Sequence, residues 1–228
     1  MRIFVPSWQK PGTWLENLEF ISLESWVQGV ELLFFSWDDR SKRDFFSEAE
    51  RIASYSGRFD FSLHLPEGLP AGTEDLVRAT HDFVELYVFH PGSGSAWNRN
   101  LDSCLDAAGE SRFALEYTGA ESSADFASCE ASRPGISLCA DTGRLMRDGI
   151  DPATWIEARA GRLAEIHLHS AAREGGSLVD AGPLRDHKHL SGMEAWLPWL
   201  VGEARLRGWI LNLETFAIEE SKASYAAL

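Results

Sequence analysis

The chain has 228 residues, with 35 acidic against 21 basic side chains, which gives a formal net charge of −14. A surface this acidic repels both a phosphate backbone and an anionic membrane surface, so we expect neither nucleic-acid binding nor membrane docking. Hydrophobic residues make up 44% of the chain, enough for a sizeable core, which excludes disorder as the main state.

Targeting and redox signals are absent from the sequence. The apolar run at residues 3–5 is too short for a signal peptide, and no stretch approaches the roughly 20 apolar residues of a membrane-spanning helix. The three cysteines, Cys104, Cys129 and Cys139, lack CxxC spacing, so neither a disulfide framework nor a zinc-thiolate site is indicated. We therefore expect a cytoplasmic protein.

Strand-like and helix-like segments alternate along the chain. Short apolar runs typical of strands buried on both faces lie at 2–8, 30–35, 60–66, 84–91, 112–118, 136–142, 163–170 and 208–216. Helical patterning lies between them at 13–23, 45–56, 73–84, 98–108 and 193–207, more weakly at 122–131 and 151–160, and finally at 218–228. We expect Thr73 to cap the helix that it opens and Gly208 to end the helix before the last strand.

Eight strand–helix repeats predict a parallel sheet closed into a short (β/α)8 TIM barrel. No composition break marks a linker, so residues 1–228 are expected to form a single domain. The alternative, an open doubly wound sheet, would require a glycine fingerprint after the first strand, and Val5-Pro6-Ser7-Trp8 offers none.

Most of the predicted strands end in an acidic residue or a histidine. These residues are His64, His90, Glu116, Asp141, His167, His169 and Glu214, and Asp186 and His187 lie in the loop after the seventh strand. The carboxyl ends of barrel strands converge on one mouth, so these side chains should meet there. Singly, each has an ordinary explanation: Asp141 could cap a helix, and a strand histidine could simply be packed.

As a set, these residues predict a metal site. Carboxylate oxygens and imidazole nitrogens are ligands that divalent ions such as Zn²⁺ and Mn²⁺ prefer. We predict Glu116, Asp141, His167 and Glu214 as the inner ligands and Asp186 and His187 as further metal-side groups. His64, His90 and His169 are predicted to move protons during catalysis, because imidazole titrates near neutral pH.

Other motifs are less informative. The loop His90-Pro91-Gly92-Ser93-Gly94-Ser95 lacks the Gly-Lys-Ser/Thr of a phosphate loop, and there is neither an HExxH nor a GxSxG motif. Trp8 and Trp37, at the ends of the first two strands, either wall the mouth or belong to the core; the sequence leaves both open.

The order of these motifs resembles the xylose-isomerase-like TIM barrels, the superfamily that includes AP endonucleases of family 2 and many sugar isomerases and epimerases. The similarity runs from the second strand to the last. Short segments, including Leu63-His64-Leu65-Pro66, Ile166-His167-Leu168-His169-Ser170 and Leu213-Glu214-Thr215-Phe216, most resemble the cobamide-remodelling phosphodiesterases. That resemblance implies a metal-dependent phosphodiester hydrolase acting on the nucleotide loop of a cobamide.

One position departs from the superfamily pattern. Asp141-Thr142-Gly143-Arg144 has an arginine where the superfamily usually has a histidine on the metal side. Arginine stays protonated and does not ligate a cation, so we expect one or two ions or a weakened metal site. Arg144 either holds a substrate phosphate or is an ordinary surface arginine of a helix; the sequence leaves both open. Two other functions remain open: a sugar or sugar-phosphate isomerase or epimerase that uses Glu116 and Glu214, and a non-catalytic binding barrel.

Overall fold

The computed structural model describes the backbone of residues 1–173 and 184–228 and the side chains of 1–171 and 187–228. Within these ranges, no helix is both long and apolar enough to cross a membrane. The side chain of Asp186, one of the predicted metal ligands, lies outside the described residues.

A closed barrel of eight parallel strands forms the centre of the molecule, which confirms the predicted (β/α)8 fold. Its strands are β1 (Arg2–Pro6), β2 (Gly29–Leu33), β3 (Asp60–His64), β4 (Val84–Phe89), β5 (Phe113–Glu116), β6 (Ser137–Asp141), β7 (Leu163–His167) and, last in the chain, β10 (Ile210–Asn212). The two remaining strands, β8 (Ser170–Arg173) and β9 (Leu184–Lys188), pair antiparallel outside the barrel. β10 lies between β1 and β7 and closes the ring.

Helices connect the strands. They are α1 (Trp14–Ile21), α2 (Asp39–Ser54), α3 (Thr73–Thr80), α4 (Ser95–Ala108), α5 (Ser123–Ser132), α6 (Thr142–Arg147), α7 (Pro152–Arg159), α8 (Leu197–Arg207) and α9 (Ile218–Ala226). Gly208 ends α8 in the left-handed conformation, with φ of 75°, as predicted.

Two helix starts differ from the sequence prediction. α2 begins at Asp39, before the expected Phe45, because the carboxylate of Asp38 caps its first turn and accepts from the backbone N–H of Ser41. The prediction that Thr73 caps α3 is wrong. Gly72 occupies the cap position, and the buried Thr73 hydroxyl donates instead to the Pro70 carbonyl at 2.7 Å.

Apolar side chains fill the two sides of the barrel wall separately. A small cluster that includes Phe4, Val88 and Ile210 is distinct from the large cluster between the strands and the helices. Gly29 allows the Phe4 ring to approach the backbone of β2, since a Cβ at that position would lie 2.2 Å from the ring.

The sequence does not decide whether Trp8 and Trp37 belong to the core or line the barrel mouth, and the structure gives a different answer for each. Trp37 is only 5% exposed; its ring packs edge-on against Phe34 and Phe45, and its indole N–H donates to the Gly72 carbonyl at 2.7 Å. Trp37 is therefore a core residue. Trp8, by contrast, is 41% exposed at the end of β1.

Candidate metal centre

The alternation of side chains along the strands brings the polar residues together at the carboxyl ends of the barrel strands. Side chains two residues apart on a strand face the same side, so Glu165 and His167 of β7 point the same way and His169 follows them. Glu116 and Asp141 are the last residues of β5 and β6, and Glu214 follows the end of β10. The parallel barrel brings these carboxyl ends together, and all of these side chains are buried.

One carboxylate oxygen of Glu116 lies close to two histidines. Its Oε2 lies 2.8 Å from Nε2 of His64 and 3.2 Å from Nε2 of His90. Nδ1 of His64 lies 3.0 Å from the Leu65 carbonyl, which only accepts, so Nδ1 donates and Nε2 is turned toward Glu116. Burial lowers the pKa of His64, but the hydrogen bond and charge of Glu116 outweigh it and raise that pKa to about 9.

His167 is fully buried among four carboxylates, of which Glu165 is the most distant, with its Oε1 3.8 Å from Nε2. Its Nδ1 lies 3.4 Å from Oε2 of Glu214 and 3.7 Å from Oε1 of Glu116, while its Nε2 lies 3.2 Å from Oε1 of Glu31. The second oxygen of Glu31 accepts from the Asn212 amide at 2.6 Å. Metal-binding histidines commonly donate their second ring N–H to a carboxylate, and Glu31 is in position to accept such a hydrogen bond from Nε2 of His167.

Glu214 faces three imidazoles. Its Oε2 lies 3.3 Å from Nε2 of His169, 3.4 Å from Nδ1 of His167 and 3.6 Å from Nδ1 of His187. Burial alone would raise the pKa of Glu214, but the charge of His167 and the nearby His169 imidazole hold it at about 2. Glu214 is therefore ionised at neutral pH.

His187 and His169 hold each other in place. The backbone N–H of His187 donates to Nδ1 of His169 at 2.9 Å, so in the neutral His169 ring the proton is on Nε2, which faces Glu214 and Asp141. The two rings stack with centroids 4.5 Å apart. His187 has φ of 55°, an uncommon backbone conformation for a side-chain-bearing residue, and such residues cluster at functional sites.

Asp141 has two roles at once. Its Oδ1 accepts from the backbone N–H of Arg144 at 2.8 Å, which caps α6, and Oδ2 accepts from Arg144 Nε at 3.0 Å. Nε2 of His169 lies 3.0 Å from Oδ1. The helix-cap interpretation of Asp141 is thus correct, and the carboxylate also lies within the predicted metal cluster.

A polar layer in the barrel interior was not predicted as part of the site. Glu31, Ser62, Glu165 and Asn212 are all completely buried, and the Ser62 hydroxyl donates to Glu165 at 3.3 Å. Burial, and secondarily the charge of Glu31, raise the pKa of Glu165 to about 8. The available signal was a glutamate in the middle of an apolar strand, as in Val30-Glu31-Leu32 and Ala164-Glu165-Ile166.

These residues fit a divalent cation. Among the side chains described, five buried atoms of these residues make no hydrogen bond of normal geometry: Nδ1 of His167, Nε2 of His169, Oε2 of Glu214, Oε2 of Glu165 and Oδ1 of Asn212. Triplets of ligand atoms within 4.8 Å of one another include His64/His90/Glu116, Glu116/Asp141/His167 and His169/His187/Glu214. Nitrogen and carboxylate donors of this kind suit Zn²⁺ or Mn²⁺, and a cation would offset the buried negative charge.

A cavity of about 280 Å³ opens onto the cluster. Among its lining residues are His64, His90, Glu116, Arg144, His187 and Glu214. His189, which follows β9, is exposed.

Comparison with known proteins places the fold. No family profile and no curated protein sequence matches the chain. Among solved structures, a probable 3-DHS dehydratase, AsbF from Bacillus anthracis, has a TM-score of 0.68 at 13% identity and covers 100% of this chain and 97% of its own. The IolI protein with a bound zinc atom has a TM-score of 0.63 at 11% identity, with 100% and 94% covered.

A sugar phosphate isomerase/epimerase from Parabacteroides distasonis is also similar, with a TM-score of 0.58, 11% identity, and 99% and 92% of the two chains covered. At these identities the likeness shows the fold, a (β/α)8 barrel, and this confirms the predicted fold class. None of these three structures lends support to the cobamide-remodelling subgroup.

Proposed function

We propose that this protein is a metal-dependent isomerase or epimerase of a small sugar or sugar phosphate. The reaction would begin with removal of a proton from a carbon next to a carbonyl, a step that fits isomerisation, epimerisation and the dehydration of hydroxyketones alike. Support comes from the isomerase/epimerase and the dehydratase named above, and from a cavity sized for a small substrate. Fold similarity alone does not identify a reaction; the side chains of the site decide between reactions.

The observation that carries the proposal is the pair Glu116 and Glu214 on either side of His167 Nδ1. Glu116, Asp141, His167 and Glu214 would hold the cation, which when bound supplies positive charge that polarises a carbonyl oxygen. The pKa of Glu214 is about 2, and that of Glu116, despite burial, is held well below its usual range by His90 and His167. Both carboxylates are therefore available as proton acceptors.

The surrounding residues orient and assist. His64 holds a proton against Glu116, and His90 lies beside the same carboxylate; both line the cavity, within reach of a substrate hydroxyl or carbonyl. His169 and His187 fix the orientation of Glu214. Arg144 lines the cavity and is placed to receive an anionic group such as a sugar phosphate.

Proton exchange in deuterated water tests the reaction. The protein loaded with Mn²⁺ or Zn²⁺ is incubated with ketoses, aldoses and their phosphates, and NMR follows deuterium entering a carbon-bound position. We expect exchange in the parent protein, loss of at least about 100-fold in Glu214→Gln, as expected for an acid–base residue, and full activity in the surface control Glu50→Gln. Equal exchange in Glu214→Gln and the parent would refute the assignment.

Two further readouts separate the competing functions. Metal content by elemental analysis should fall in the Glu116→Gln/Glu214→Gln double variant; unchanged content would remove the metal assignment. Incubation with cobalamin in coenzyme form should leave it intact. Release of its nucleotide loop, without exchange on any sugar, would instead favour the phosphodiesterase that the short motifs resemble.

A further inference from the structure

A second cavity adjoins the site. It has a volume of about 580 Å³, larger than the cavity over the metal cluster, and shares Leu33 and Phe35 with it. The two shared wall residues place the cavities next to each other. Nothing in the proposed reaction uses this second cavity.

Exposed aromatic rings border the second cavity. Trp8 is 41% exposed and Phe35 65%, and their rings meet edge to face with centroids 6.0 Å apart. Large aromatic side chains normally bury most of their surface, so an exposed pair beside a cavity indicates a surface that a ligand covers. The C–H face of a sugar ring is a suitable cover.

The wall behind these rings is firmly held. The indole N–H of Trp14 donates to the Leu33 carbonyl at 2.8 Å, and its ring stacks on Phe34 at 4.8 Å. Thr13 caps α1 and Asp38 caps α2, so both helices begin at the cavity with their first turns fixed. A preformed wall of this kind reduces the entropy cost of binding.

The polar lining favours a neutral ligand. Ser36 offers a hydroxyl group that suits a sugar hydroxyl, whereas the Ser41 hydroxyl is engaged by Asp38 in the cap of α2. Arg40, which lines the cavity, lies 3.6 Å from Asp44, and Asp38 adds a second carboxylate. With carboxylates in excess, the lining disfavours a phosphate or other anion.

We infer that this second cavity is a binding subsite for the non-reacting ring of a neutral disaccharide or glycoside whose reacting sugar lies over the metal cluster. Trp8 stacks on that second ring, and the Ser36 hydroxyl binds its polar edge. The subsite deepens the proposed function, and it determines specificity by favouring two-ring substrates over single sugars.

Binding of neutral sugars tests the subsite without requiring turnover. Saturation-transfer NMR titrations of the Zn²⁺-loaded protein compare glucose and fructose with cellobiose, maltose and isomaltulose. We expect at least one disaccharide to bind roughly 10-fold more tightly than either monosaccharide. Trp8→Ala should remove this advantage without changing monosaccharide binding, and the exposed-aromatic control Phe46→Ala should retain it.

The subsite is overturned if no disaccharide binds more tightly than the monosaccharides, or if Trp8→Ala weakens both classes equally. Deuterium exchange, followed by NMR on the single sugars and on the same disaccharides, tests the proposed reaction separately. Exchange without a disaccharide preference removes the subsite alone. A disaccharide preference that depends on Trp8, without exchange, leaves the subsite and removes the isomerase.

Discussion

On the Nε2 side of His167, one buried residue is placed to influence the proposed metal site without being a ligand itself. Glu31 lies 3.2 Å from this nitrogen and is itself fixed by Asn212 at 2.6 Å. With a cation bound, the carboxylate of Glu31 would keep a proton on Nε2 and leave Nδ1, between Glu116 and Glu214, as the nitrogen that donates its lone pair.

Glu31→Gln should therefore weaken metal binding by about 10- to 100-fold while leaving the fold intact, since glutamine keeps the shape and loses the charge. Competition with a chelating dye measures the affinity, and circular dichroism checks folding. Glu50→Gln, at an exposed position of α2, is the matched control and should bind as the parent does. If Glu31→Gln bound the metal as tightly as the parent protein does, Glu31 would not control the protonation of His167.

Arg144 is the second residue whose exchange should alter the metal site. Its guanidinium lies on Asp141, and a histidine there would release that carboxylate and add a nitrogen ligand. We expect Arg144→His to raise the number of bound ions per chain, measured by elemental analysis. Arg147→His, on the same helix but paired with Glu121, should not raise it; equal metal content in both would leave Arg144 without influence on the site.

Sequence reasoning found the residues at the mouth but not those beneath it. Glu116, Asp141 and His167 end strands, where convergence follows from the fold alone. Glu31 and Glu165 lie inside strands, where only the register shows whether a side chain faces the barrel interior or the helices. Register depends on pairing between strands distant in sequence, and the sequence pattern does not specify it.

At the scale of elements, all eight barrel strands were predicted, because buried parallel strands are short apolar runs. α6 was not, since its Thr142–Arg147 segment is too short to show a helical period. The β8–β9 hairpin was also missed: Asp186-His187-Lys188-His189 is polar and has the composition of a loop. Hydrophobic periodicity therefore predicts the barrel and not its additions.

The contact between β2 and α2 gives a prediction at the same scale. Trp37→Ala should lower the free energy of unfolding by about 3–5 kcal/mol, because the change leaves a cavity among Phe34 and Phe45. Trp8→Ala, at an exposed position, should lose less than half as much. Urea denaturation followed by circular dichroism measures both, and equal losses would mean that Trp37 is not part of the core.

For the whole molecule, metal binding and protonation compete for the same groups. In the metal-free protein the pKa of His64 is raised to about 9, against an ordinary value of 6.5. The stability that His64 gains from Glu116 is therefore fully present below pH 6.5 and is lost as the pH rises through 9. A cation that takes up Glu116 and its imidazoles must displace protons, so its affinity should rise over the same pH range.

The pH dependence of the His64–Glu116 stabilisation and the pH dependence of metal affinity both widen the difference in thermal stability between the metal-loaded and the metal-free protein as the pH rises. A cation at 100 times its dissociation constant should stabilise the folded protein by about 2.7 kcal/mol, a rise in Tm of roughly 5–10 °C for a chain of this size. The gap between the metal-loaded and the chelator-treated protein should widen from pH 6 to pH 9, since the metal-free form weakens while the metal binds more tightly. Differential scanning calorimetry across this range, at fixed total metal, measures the gap.

His64→Asn should flatten the pH dependence, whereas His81→Asn, at an exposed histidine away from the cluster, should preserve it. A gap that narrows with rising pH would contradict the coupling between His64, Glu116 and the cation.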